Sequence, residues 1–464
     1  MSSLSRRSFL AASAAVAAGP SFGATGALGD ADIAIVGAGA AGIGAARKIA
    51  AAGKRFVLIE AADRIGGRCI TDTQTFGVPF DRGAHWIHMP DINPVARLAT
   101  QTGLDIYPAP PGQKMRVVRR YAREGEMEDF LAAQVRANRA IAEAARGQND
   151  VSCAAALPKD LGDWRSTVEF VLGPFGCAKD LAAVSAKDFA RSAERDVDAF
   201  CRQGYGALLA RLGAALPVEL STPVMRIDLA ARGGVEVETA RGRIAARGVI
   251  VTVSTGVLAA NKIRFVPELP RPQLEAVNSL SLGSYERVVL ELPGNPLGLD
   301  RDDLVFEKSD GTRTAAILAN VSGSSLVTVD IGGKFARDLA AQGADAMTAF
   351  AIEWLTGLYG TNLRKAVKRT AATRWNDEPW ALGAFSAAAP GGQPARKSLM
   401  GRVHGRLWFA GEAAHETLWG TVGGAWASGE RAAAAALDDL GFTAKPREPA
   451  PQGPQRAAPR RRQR

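Results

Sequence analysis

The chain has 464 residues, of which 47% are hydrophobic and 22% charged, a composition typical of a globular protein with about two domains. Its formal net charge of +10 is concentrated in residues 445–464, so the nearly balanced remainder does not predict a nucleic-acid partner. Outside the N-terminal leader no apolar run has the length of a transmembrane segment. The four cysteines are too widely spaced for a metal site and are expected to be buried free thiols.

Residues 1–29 have the features of an export signal. An Arg6-Arg7 pair precedes a weakly apolar run at 10–18, and small residues follow it. This order is typical of a twin-arginine signal peptide with a cleavage region. It predicts that the twin-arginine translocation machinery is a partner and that the protein is periplasmic or secreted. Since this route carries folded proteins, a tightly held cofactor has to be loaded before export.

The first predicted unit is a strand, a turn, a helix and a second strand. An apolar, β-branched run at 33–36 predicts the first strand, and 56–59 predicts the second. Between them, the Ala-rich segment 43–52 predicts a helix that ends at Gly53. Together they have about the length that a β-turn-α-β unit needs.

The rest of the chain mixes helices and strands. Residues 91–200 are predicted to be mostly helical, as in the Ala-rich stretch 130–146. Further elements are predicted as strands at 224–227, 235–238, 249–251 and 406–409, and as helices at 345–359 and 423–440. Residues 442–464 are Pro/Arg-rich without apolar periodicity, which predicts a disordered basic tail. It is either a solubilising extension or an anchor to an anionic surface.

The glycines of the first turn predict a dinucleotide cradle. Gly37 permits the tight turn after the strand, Gly39 lets the backbone approach a pyrophosphate, and Gly42 allows the helix to pack closely on the strand. The helix N-terminus presents free N–H groups and a partial positive charge to the phosphates. Glu60, at the end of the second strand, is placed to accept hydrogen bonds from an adenosine ribose and would repel a 2′-phosphate.

A second glycine turn separates FAD from NAD as the cofactor. The sequence runs on from Glu60 to Gly66, Gly67 and Arg68. Two glycines let the chain pass close to a long ligand, and Arg68 can pair with its pyrophosphate or flank the flavin. A domain that binds NAD has no need of this second turn.

These elements predict a mixed α/β fold with a discontinuous FAD domain. Sheet elements near both chain ends and in the middle have to come together, which gives a two-dinucleotide-binding, Rossmann-like domain from 30–90, 200–283 and 398–441. A substrate domain of mixed sheet and helix, 91–199 and 284–397, is inserted into it.

Four blocks of the sequence together resemble the flavin-dependent monoamine/polyamine oxidase family. They are 33–68, 81–94, 375–385 and 409–429, and the resemblance runs with gaps from about residue 31 to about residue 440. The segment Gly83-Ala84-His85-Trp86-Ile87-His88 and the closing segment 420–429 look more like polyamine oxidases than like mitochondrial monoamine oxidases.

The resemblance implies roles for residues around FAD. Glu412, after Gly411, would bond the ribityl chain, and the helix that begins near Thr421 and Val422 would aim its positive end at the flavin pyrimidine. The remaining positions implied to contact the cofactor are Gly83 and Ala84 of the second block, Val224 beside the adenine, and Trp375 beside the isoalloxazine.

Three departures from the family pattern affect what the site can do. Ala384 stands where some members carry a cysteine bonded to the flavin, so FAD is expected to be noncovalent. The paired tyrosines of monoamine oxidases match Phe385 and Thr421, which leaves one aromatic face to hold an amine by cation–π attraction. Arg287 stands where the family has a lysine that holds a water near the flavin N5, and arginine differs in shape and cannot deprotonate.

The implied reaction is the oxidation of an amine. A hydride equivalent passes from the carbon to flavin N5, the imine is hydrolysed to an aldehyde or ketone, and O2 is reduced to H2O2. His88 is the candidate for contacting the amine or tuning its proton. Trp380 and Trp419 are candidates for the substrate channel, His415 for the edge of the site, and Glu286 and Asp377 for a second ammonium.

Two other functions stay open at this point. Arg287 suggests an amine dehydrogenase that passes electrons to a periplasmic protein carrier. A flavin-binding interaction protein without catalysis would hold FAD that no amine reduces. The sequence does not distinguish a primary monoamine, a polyamine, an amino acid or a cyclic amine as the substrate.

Overall fold

The computed structural model describes residues 30–192 and 197–443. The predicted signal peptide 1–29 and nearly all of the predicted basic tail 442–464 lie outside these ranges. Within the described ranges the strands, in chain order, are β1 (Ala31–Val36), β2 (Phe56–Ile59), β3 (Thr71–Asp72), β4 (Phe80–Asp81), β5 (Ile87–His88), β6 (Ile106–Pro108), β7 (Lys114–Val117), β8 (Arg120–Tyr121), β9 (Asp198–Cys201), β10 (Val218–Glu219), β11 (Val224–Asp228), β12 (Val235–Thr239), β13 (Gly242–Val251), β14 (Arg264–Val266), β15 (Tyr285–Glu291), β16 (Asp303–Glu307), β17 (Ala316–Ala319), β18 (Leu326–Gly332), β19 (Arg369–Ala372) and β20 (Leu407–Phe409).

The helices of the same ranges connect these strands and cover their faces. In chain order they are α1 (Ala40–Ala51), α2 (Pro94–Leu98), α3 (Glu124–Ala144), α4 (Cys153–Ala156), α5 (Arg165–Phe170), α6 (Ala186–Ala190), α7 (Tyr205–Gly213), α8 (Thr255–Ala259), α9 (Arg271–Ser279), α10 (Gly333–Ala340), α11 (Ala344–Tyr359), α12 (Leu363–Ala366), α13 (Ala395–Met400) and α14 (Val422–Asp439). A π-helical turn, Val171–Phe175, extends α5.

The first sheet joins distant parts of the chain. Its strands lie in the order β10-β2-β1-β13-β12-β11-β14, and β20 also pairs with β13. Strand β1 is parallel to both β2 and β13, and β13 is parallel to β20. The predicted β-turn-α-β unit is therefore confirmed, and so is the convergence of sheet elements from both ends and the middle of the chain.

The second sheet supports the other half of the molecule. Its strands lie in the order β19-β15-β18-β17-β16-β7-β8 and are mostly antiparallel. Its face buries alternating aliphatic side chains such as Val288, Leu290, Val327 and Val329 against α10 and α11. This sheet and the helices of 124–190 correspond in kind to the predicted mixed sheet and helical domain; the predicted domain boundaries stay a prediction.

The prediction that 91–200 is mostly helical is wrong for four segments. Strands β6, β7, β8 and β9 lie within it, whereas α3 to α6 agree with it. Strand β7 is parallel to β16, and β9 pairs with β5 and β6. Strands β6, β7 and β9 pair with partners far away in the sequence, and β8 is a two-residue edge strand that pairs with β7, so local residue preferences do not mark them.

Small residues let α1 and α14 pack closely. This packing places the N-terminus of α14 near the carboxyl ends of the strands. A Cβ on Gly429 would stand 2.0 Å from the Ala41 carbonyl oxygen, and one on Gly44 would stand 3.0 Å from the Trp426 carbonyl oxygen. Larger residues at these glycines would separate the helices. The packing fixes where the N-terminus of α14 points.

All four cysteines are buried thiols outside any disulfide, as predicted. Burial raises the pKa of the Cys69 thiol and of the Cys153 thiol, and it raises the pKa of Cys201 to about 11. Such thiols stay protonated at neutral pH and react slowly.

Within 30–192 and 197–443 no helix has the length and apolar character needed to cross a bilayer. The same ranges also contain no group of three His, Cys, Asp or Glu side chains that could hold a metal ion.

Candidate active site

The carboxyl ends of three parallel strands meet at one edge of the first sheet. Val36 lies beside Val251, and Val251 lies beside Phe409. Gly37, Thr252 and Glu412 follow these ends and line one cavity of about 1200 Å³. Ligands of open parallel sheets bind at this edge. The glycine turn after β1 and the segment with Gly411 and Glu412 after β20 therefore lie at one cavity; that both contact the flavin stays a prediction.

Nearly all of the predicted site residues line this cavity. Those at its wall are Gly37, Gly39, Glu60, Gly67, Arg68, Gly83, Ala84, His88, Val224, Arg287, Trp375, Phe385, Gly411, Glu412, Thr421 and Val422. Gly42 is not at the wall. A Cβ there would stand 1.8 Å from the Gly37 carbonyl oxygen, so Gly42 serves the close packing of α1 on the turn.

The glycine turn leaves space for a ligand backbone. Gly37 has φ of 103°, and a Cβ on it would stand 2.5 Å from Thr252 Oγ1. A Cβ on Gly39 would meet only Gly67 Cα, at 3.9 Å, so the surface above Gly39 is open to the cavity. Gly39 precedes α1 without a side-chain cap, which leaves the N–H groups of the helix end available to an anion.

Glu60 organises the turns at the end of β2. Its Oε2 accepts from the Ala38 N–H at 2.7 Å, and its Oε1 accepts from the Ala62 N–H at 2.9 Å. Burial raises the pKa of Glu60, and these N–H groups oppose the rise. Each oxygen keeps acceptor capacity, so the predicted contact with an adenosine ribose is compatible with this geometry and stays a prediction.

Glu412 ties three segments together at the cavity wall. It accepts from Arg68 Nη1 at 3.1 Å, from Ser386 Oγ at 2.7 Å and from the Gly420 N–H at 3.1 Å. Arg68 also donates to the Ala384 carbonyl oxygen. The carboxylate therefore positions the second glycine turn, the 384–386 segment and the loop before α14, and its predicted contact with the ribityl chain stays a prediction.

The Arg287 guanidinium is held on several sides. Its Nε and Nη2 donate to the two carboxylate oxygens of Asp330 at 2.7 and 2.8 Å, and its Nη1 donates to the Asp81 and Gly83 carbonyl oxygens. Burial opposes the charge, but Asp330 outweighs it and raises the pKa of Arg287. Arg287 thus presents a fixed positive charge at the wall and anchors the turn that contains Gly83.

Trp375 packs against that same turn. Its Nε1 donates to the Arg82 carbonyl oxygen at 3.0 Å. A Cβ on Gly83 would stand 3.0 Å from Trp375 Cζ2 and 1.9 Å from the Arg68 carbonyl oxygen. Only glycine fits at position 83, between the indole and the second glycine turn. Trp375 and Gly83 therefore form one part of the cavity wall.

A second aromatic ring stands beside Phe385, which the sequence analysis missed. The rings of Tyr285 and Phe385 have centroids 6.1 Å apart and planes inclined at 44°. The Tyr285 hydroxyl donates to Asp330 Oδ2 at 3.0 Å, and burial raises the pKa of Tyr285 well above its ordinary value. The second aromatic face thus comes from β15, two residues before Arg287, and not from the Thr421 position.

His88 pairs with a carboxylate that the sequence did not single out. Its Nδ1 lies 2.6 Å from Asp198 Oδ1. The two residues stand opposite each other in the antiparallel pair of β5 and β9, and both line the cavity. His85 Nδ1 lies 2.8 Å from the carboxylate of the buried Asp81, and the His85 ring stacks on Phe200, so His85 contributes to packing.

Three sequence candidates for substrate contact are placed elsewhere. Glu286 accepts from Thr373 Oγ1 and from the backbone N–H groups of Trp375 and Asn376, so it fastens that segment. Asp377 pairs with Arg374 and does not line the cavity. His415 accepts from the Leu418 N–H in a turn off the wall. Trp380 and Trp419 do line the cavity.

Sequence and structure comparisons identify the family. The family described as flavin containing amine oxidoreductase matches residues 40–437, and the chain belongs to this family. Human lysine-specific histone demethylase 2 is 26% identical over 448 residues, covering 86% of this chain and 52% of that protein. Polyamine oxidase 2 of Arabidopsis thaliana is 26% identical, covering 86% of each chain. The chain spans about half the length of the first curated relatives it matches.

Solved structures show the same fold. Cyclohexylamine oxidase from Brevibacterium oxydans IH-35A superposes with a TM-score of 0.75 at 22% identity, covering 89% of this chain and 100% of that one. Putrescine oxidase bound to putrescine gives the same TM-score at 20% identity. The chain therefore has the amine oxidase architecture of a Rossmann-like FAD domain with a substrate domain.

The described residues fit the cofactor that the family implies. The open surface above Gly39, the uncapped start of α1, and Arg68 together suit a pyrophosphate. The α14 N-terminus, capped by the Thr421 side chain at 2.9 Å from the Gly424 N–H, reaches the same cavity. FAD is therefore the cofactor of this chain.

Proposed function

We propose that the protein oxidises a small-molecule amine and passes the electrons to O2. The amine loses two electrons and two protons to become an imine, water converts the imine to an aldehyde or ketone, and O2 becomes H2O2. The observation that carries this proposal is one continuous cavity, with the dinucleotide cradle on one part of its wall and the aromatic rings of Tyr285 and Phe385 on another.

The reaction needs a hydride acceptor, and bound FAD supplies it. Phe385 and Tyr285 offer two aromatic faces that bind the amine and orient it. His88, whose ring orientation is held by Asp198 at Nδ1, is the residue of the wall suited to take the proton of the incoming ammonium. The apolar walls exclude water around the reacting carbon.

A direct test is anaerobic reduction of the bound flavin. We expect an amine to bleach the yellow absorbance of the holoprotein, and admitted air to restore it with one H2O2 per turnover. Phe385→Leu, which removes one aromatic face of the proposed amine site, should slow this bleaching. Phe335→Leu, which changes a ring outside the cavity wall, is its matched control. Bound FAD that no amine bleaches would instead support an interaction protein without catalysis.

The alternative function is an amine dehydrogenase, which is considered because Arg287 stands at the usual lysine position. It predicts amine-dependent bleaching that air does not reverse, with recovery only in the presence of an electron carrier. We favour the oxidase, because the fixed charge of Arg287 at the cavity wall can stabilise the negative charge that develops on oxygen. Stopped-flow mixing of reduced enzyme with air separates the two functions.

We also propose that the cofactor is noncovalent and that the protein is exported by the twin-arginine machinery to the periplasm or beyond. Ala384 supports the first point, and the Arg6-Arg7 pair supports the second. Acid precipitation should release all of the flavin into the supernatant. Replacing Arg6 and Arg7 by lysine should leave folded, yellow protein in the cytoplasm; unchanged export of that variant would exclude this route.

A further inference from the structure

Part of the cavity wall is apolar, although the same wall also includes Gln113, Gln134 and Asn138. Away from the cradle its wall contains the side chains of Leu172, Phe175, Leu304, Phe306 and Trp419. We infer that the substrate is a monoamine with a bulky apolar group, arylalkyl or cycloalkyl, and is not a diamine or polyamine. This inference rests on the proposed amine oxidation and names the class of amine that the site takes.

A row of aromatic rings extends from the amine-binding pair into this region. Tyr285 lies 6.2 Å from Phe175, and Phe175 lies 5.0 Å from Phe306 at an interplanar angle of 88°, both measured between ring centroids. With Phe385 these rings form a continuous apolar surface. An aryl or cycloalkyl group gains from such edge-to-face contacts, whereas a polymethylene chain with charged nitrogens has to lose its hydration there.

Strong contacts hold the row in place. The Tyr285 hydroxyl is bound to Asp330, which is itself clamped by Arg287. Phe175 ends the π-helical turn, and the backbone of Pro174 presses on Gly332, where a Cβ would stand 2.0 Å from the Pro174 carbonyl oxygen. The apolar region is therefore preformed, which lowers the entropic cost of binding a rigid group.

The carboxylates that could pair with a second ammonium have other partners. Asp302 lies at the wall but is 1% exposed, and it accepts from Tyr107 at 2.8 Å and from the Ser322 N–H at 2.6 Å. Glu286 is fully buried among its own partners, and Asp377 is off the wall. None of these three residues offers a carboxylate to a distal ammonium.

Two further carboxylates lie at the described wall: Glu378, whose charge acts on Arg64 of the second glycine turn, and Asp198. Asp198 shares its charge with His88, and its side chain is 20% exposed. One partly compensated carboxylate suffices to attract one cationic amine before deprotonation. A polyamine would present further charges to the aromatic row, whose rings offer no anion to any of them.

The test compares the rates at which different amines reduce the flavin of the holoenzyme without oxygen. Benzylamine, phenylethylamine and cyclohexylamine represent the proposed class, and putrescine and spermidine represent the competing class. We expect the second-order rate constant of flavin reduction for the best apolar monoamine to exceed that for either polyamine by about a hundredfold or more. If a polyamine is faster, the inference is overturned while the proposed function stands. If no amine in the panel reduces the flavin, the proposed function fails first.

Two variants localise the effect. Phe175→Leu removes one ring of the row, and we expect the ratio of kcat/KM for benzylamine to that for butylamine to fall about tenfold. Phe335→Leu, in the core under the second sheet, should leave this ratio unchanged. A Phe175→Leu ratio equal to wild type would overturn the inference, as would activity on spermidine that Asp198→Asn abolishes selectively.

Discussion

At the scale of single residues, the Arg287 side chain has two roles. The sequence shows only that an arginine stands where the family has a lysine. Its bonds to Asp330 and to the Asp81 and Gly83 carbonyl oxygens make it a structural anchor. Its place at the cavity wall makes it a permanent charge. A lysine would keep the charge at neutral pH but could not reproduce the forked contact with the carboxylate.

The Arg287→Lys variant should therefore change both stability and oxygen chemistry. We expect the free energy of unfolding to fall by about 3 kcal/mol, since Asp330 is left partly unpaired in a buried place. We also expect flavin reoxidation by air to become dependent on pH between about 6 and about 10, because a buried lysine can lose its proton there and arginine cannot.

Stopped-flow reoxidation rates across this pH range check the second expectation, and thermal unfolding checks the first. Arg374→Lys is the matched control, since Arg374 is exposed and its partner Asp377 is off the cavity wall. A flat pH profile in the Arg287→Lys variant would show that the charge at this position does not govern the reaction with oxygen.

Residue-level prediction succeeded where the reason for a residue is local. The requirement at Gly37, Gly39 and Gly42 follows from one turn and one helix start, and it is visible in a short stretch of sequence. Tyr285 and Asp198 were missed because their importance comes from partners brought in by strand pairing. The one available signal was that Tyr285 lies two residues before Arg287, and so on the same face of a strand.

At the scale of elements, α14 connects the cofactor site to the core. It is 18 residues long, and its first turn lies at the cavity. The Thr421 side chain accepts from the Gly424 N–H at 2.9 Å and donates to the Leu418 carbonyl oxygen at 2.7 Å. The cap fixes the direction of the helix end, whose partial positive charge is predicted, by the family resemblance, to favour the reduced flavin.

Removing this cap should lower the flavin midpoint potential. For Thr421→Ala we expect a stability loss of about 1 kcal/mol. If the interaction between the helix end and the reduced flavin weakens by a similar free energy, the two-electron potential falls by about 20 mV. Spectroelectrochemistry of the purified holoprotein measures the shift.

The control for this variant is another helix cap. Ser152 caps α4, with its side chain accepting from the Ala155 N–H at 3.2 Å, and it is not at the cavity wall. Ser152→Ala should cost stability without changing the potential. An equal shift in both variants would mean that the α14 cap has no special electrostatic role.

Elements were predictable where they carry a strong local pattern. The alternating strand 235–238 and the helix 345–359 were placed within one residue of the observed β12 and α11. Strands β6 to β9 were not, because each is short and, except for the β7–β8 pair, the partners lie far along the chain. The aromatic row was not predictable either, because Phe175 and Phe306 come from segments without a recognised motif.

At the scale of the whole molecule, Asp81 connects parts of the chain that meet beneath the cavity. It is buried, and it accepts from Thr71, from His85, and from the backbone N–H groups of Tyr205 and Gly206 at the start of α7. Burial raises the pKa of Asp81, but these hydrogen bonds, His85 first, outweigh burial and lower it. Its ionised form thus stabilises the folded state.

The pH dependence follows from the direction of that shift. Because the pKa of Asp81 is lower in the folded chain than in the unfolded one, its contribution is complete above the ordinary carboxyl value of about 4 and is lost as the pH falls through the folded value. Asp81→Asn should lower the free energy of unfolding by about 3 kcal/mol at neutral pH, and by less in acid.

Chemical denaturation at several pH values measures this difference. Asp163→Asn is the control, since Asp163 is exposed and pairs with Lys308 at 3.4 Å, a contact expected to contribute little. A constant difference between wild type and Asp81→Asn down to about pH 2 would contradict the assigned role.

The four buried cysteine thiols can report which part of the folded chain opens first. Cys153 and Cys177 belong to the core around α3, whereas Cys69 and Cys201 belong to the core beneath α7. A maleimide dye can reach either pair only after the surrounding side chains separate. The order in which the two pairs are tagged therefore reveals which half of the enzyme loosens first, and whether loading with FAD delays one half or both.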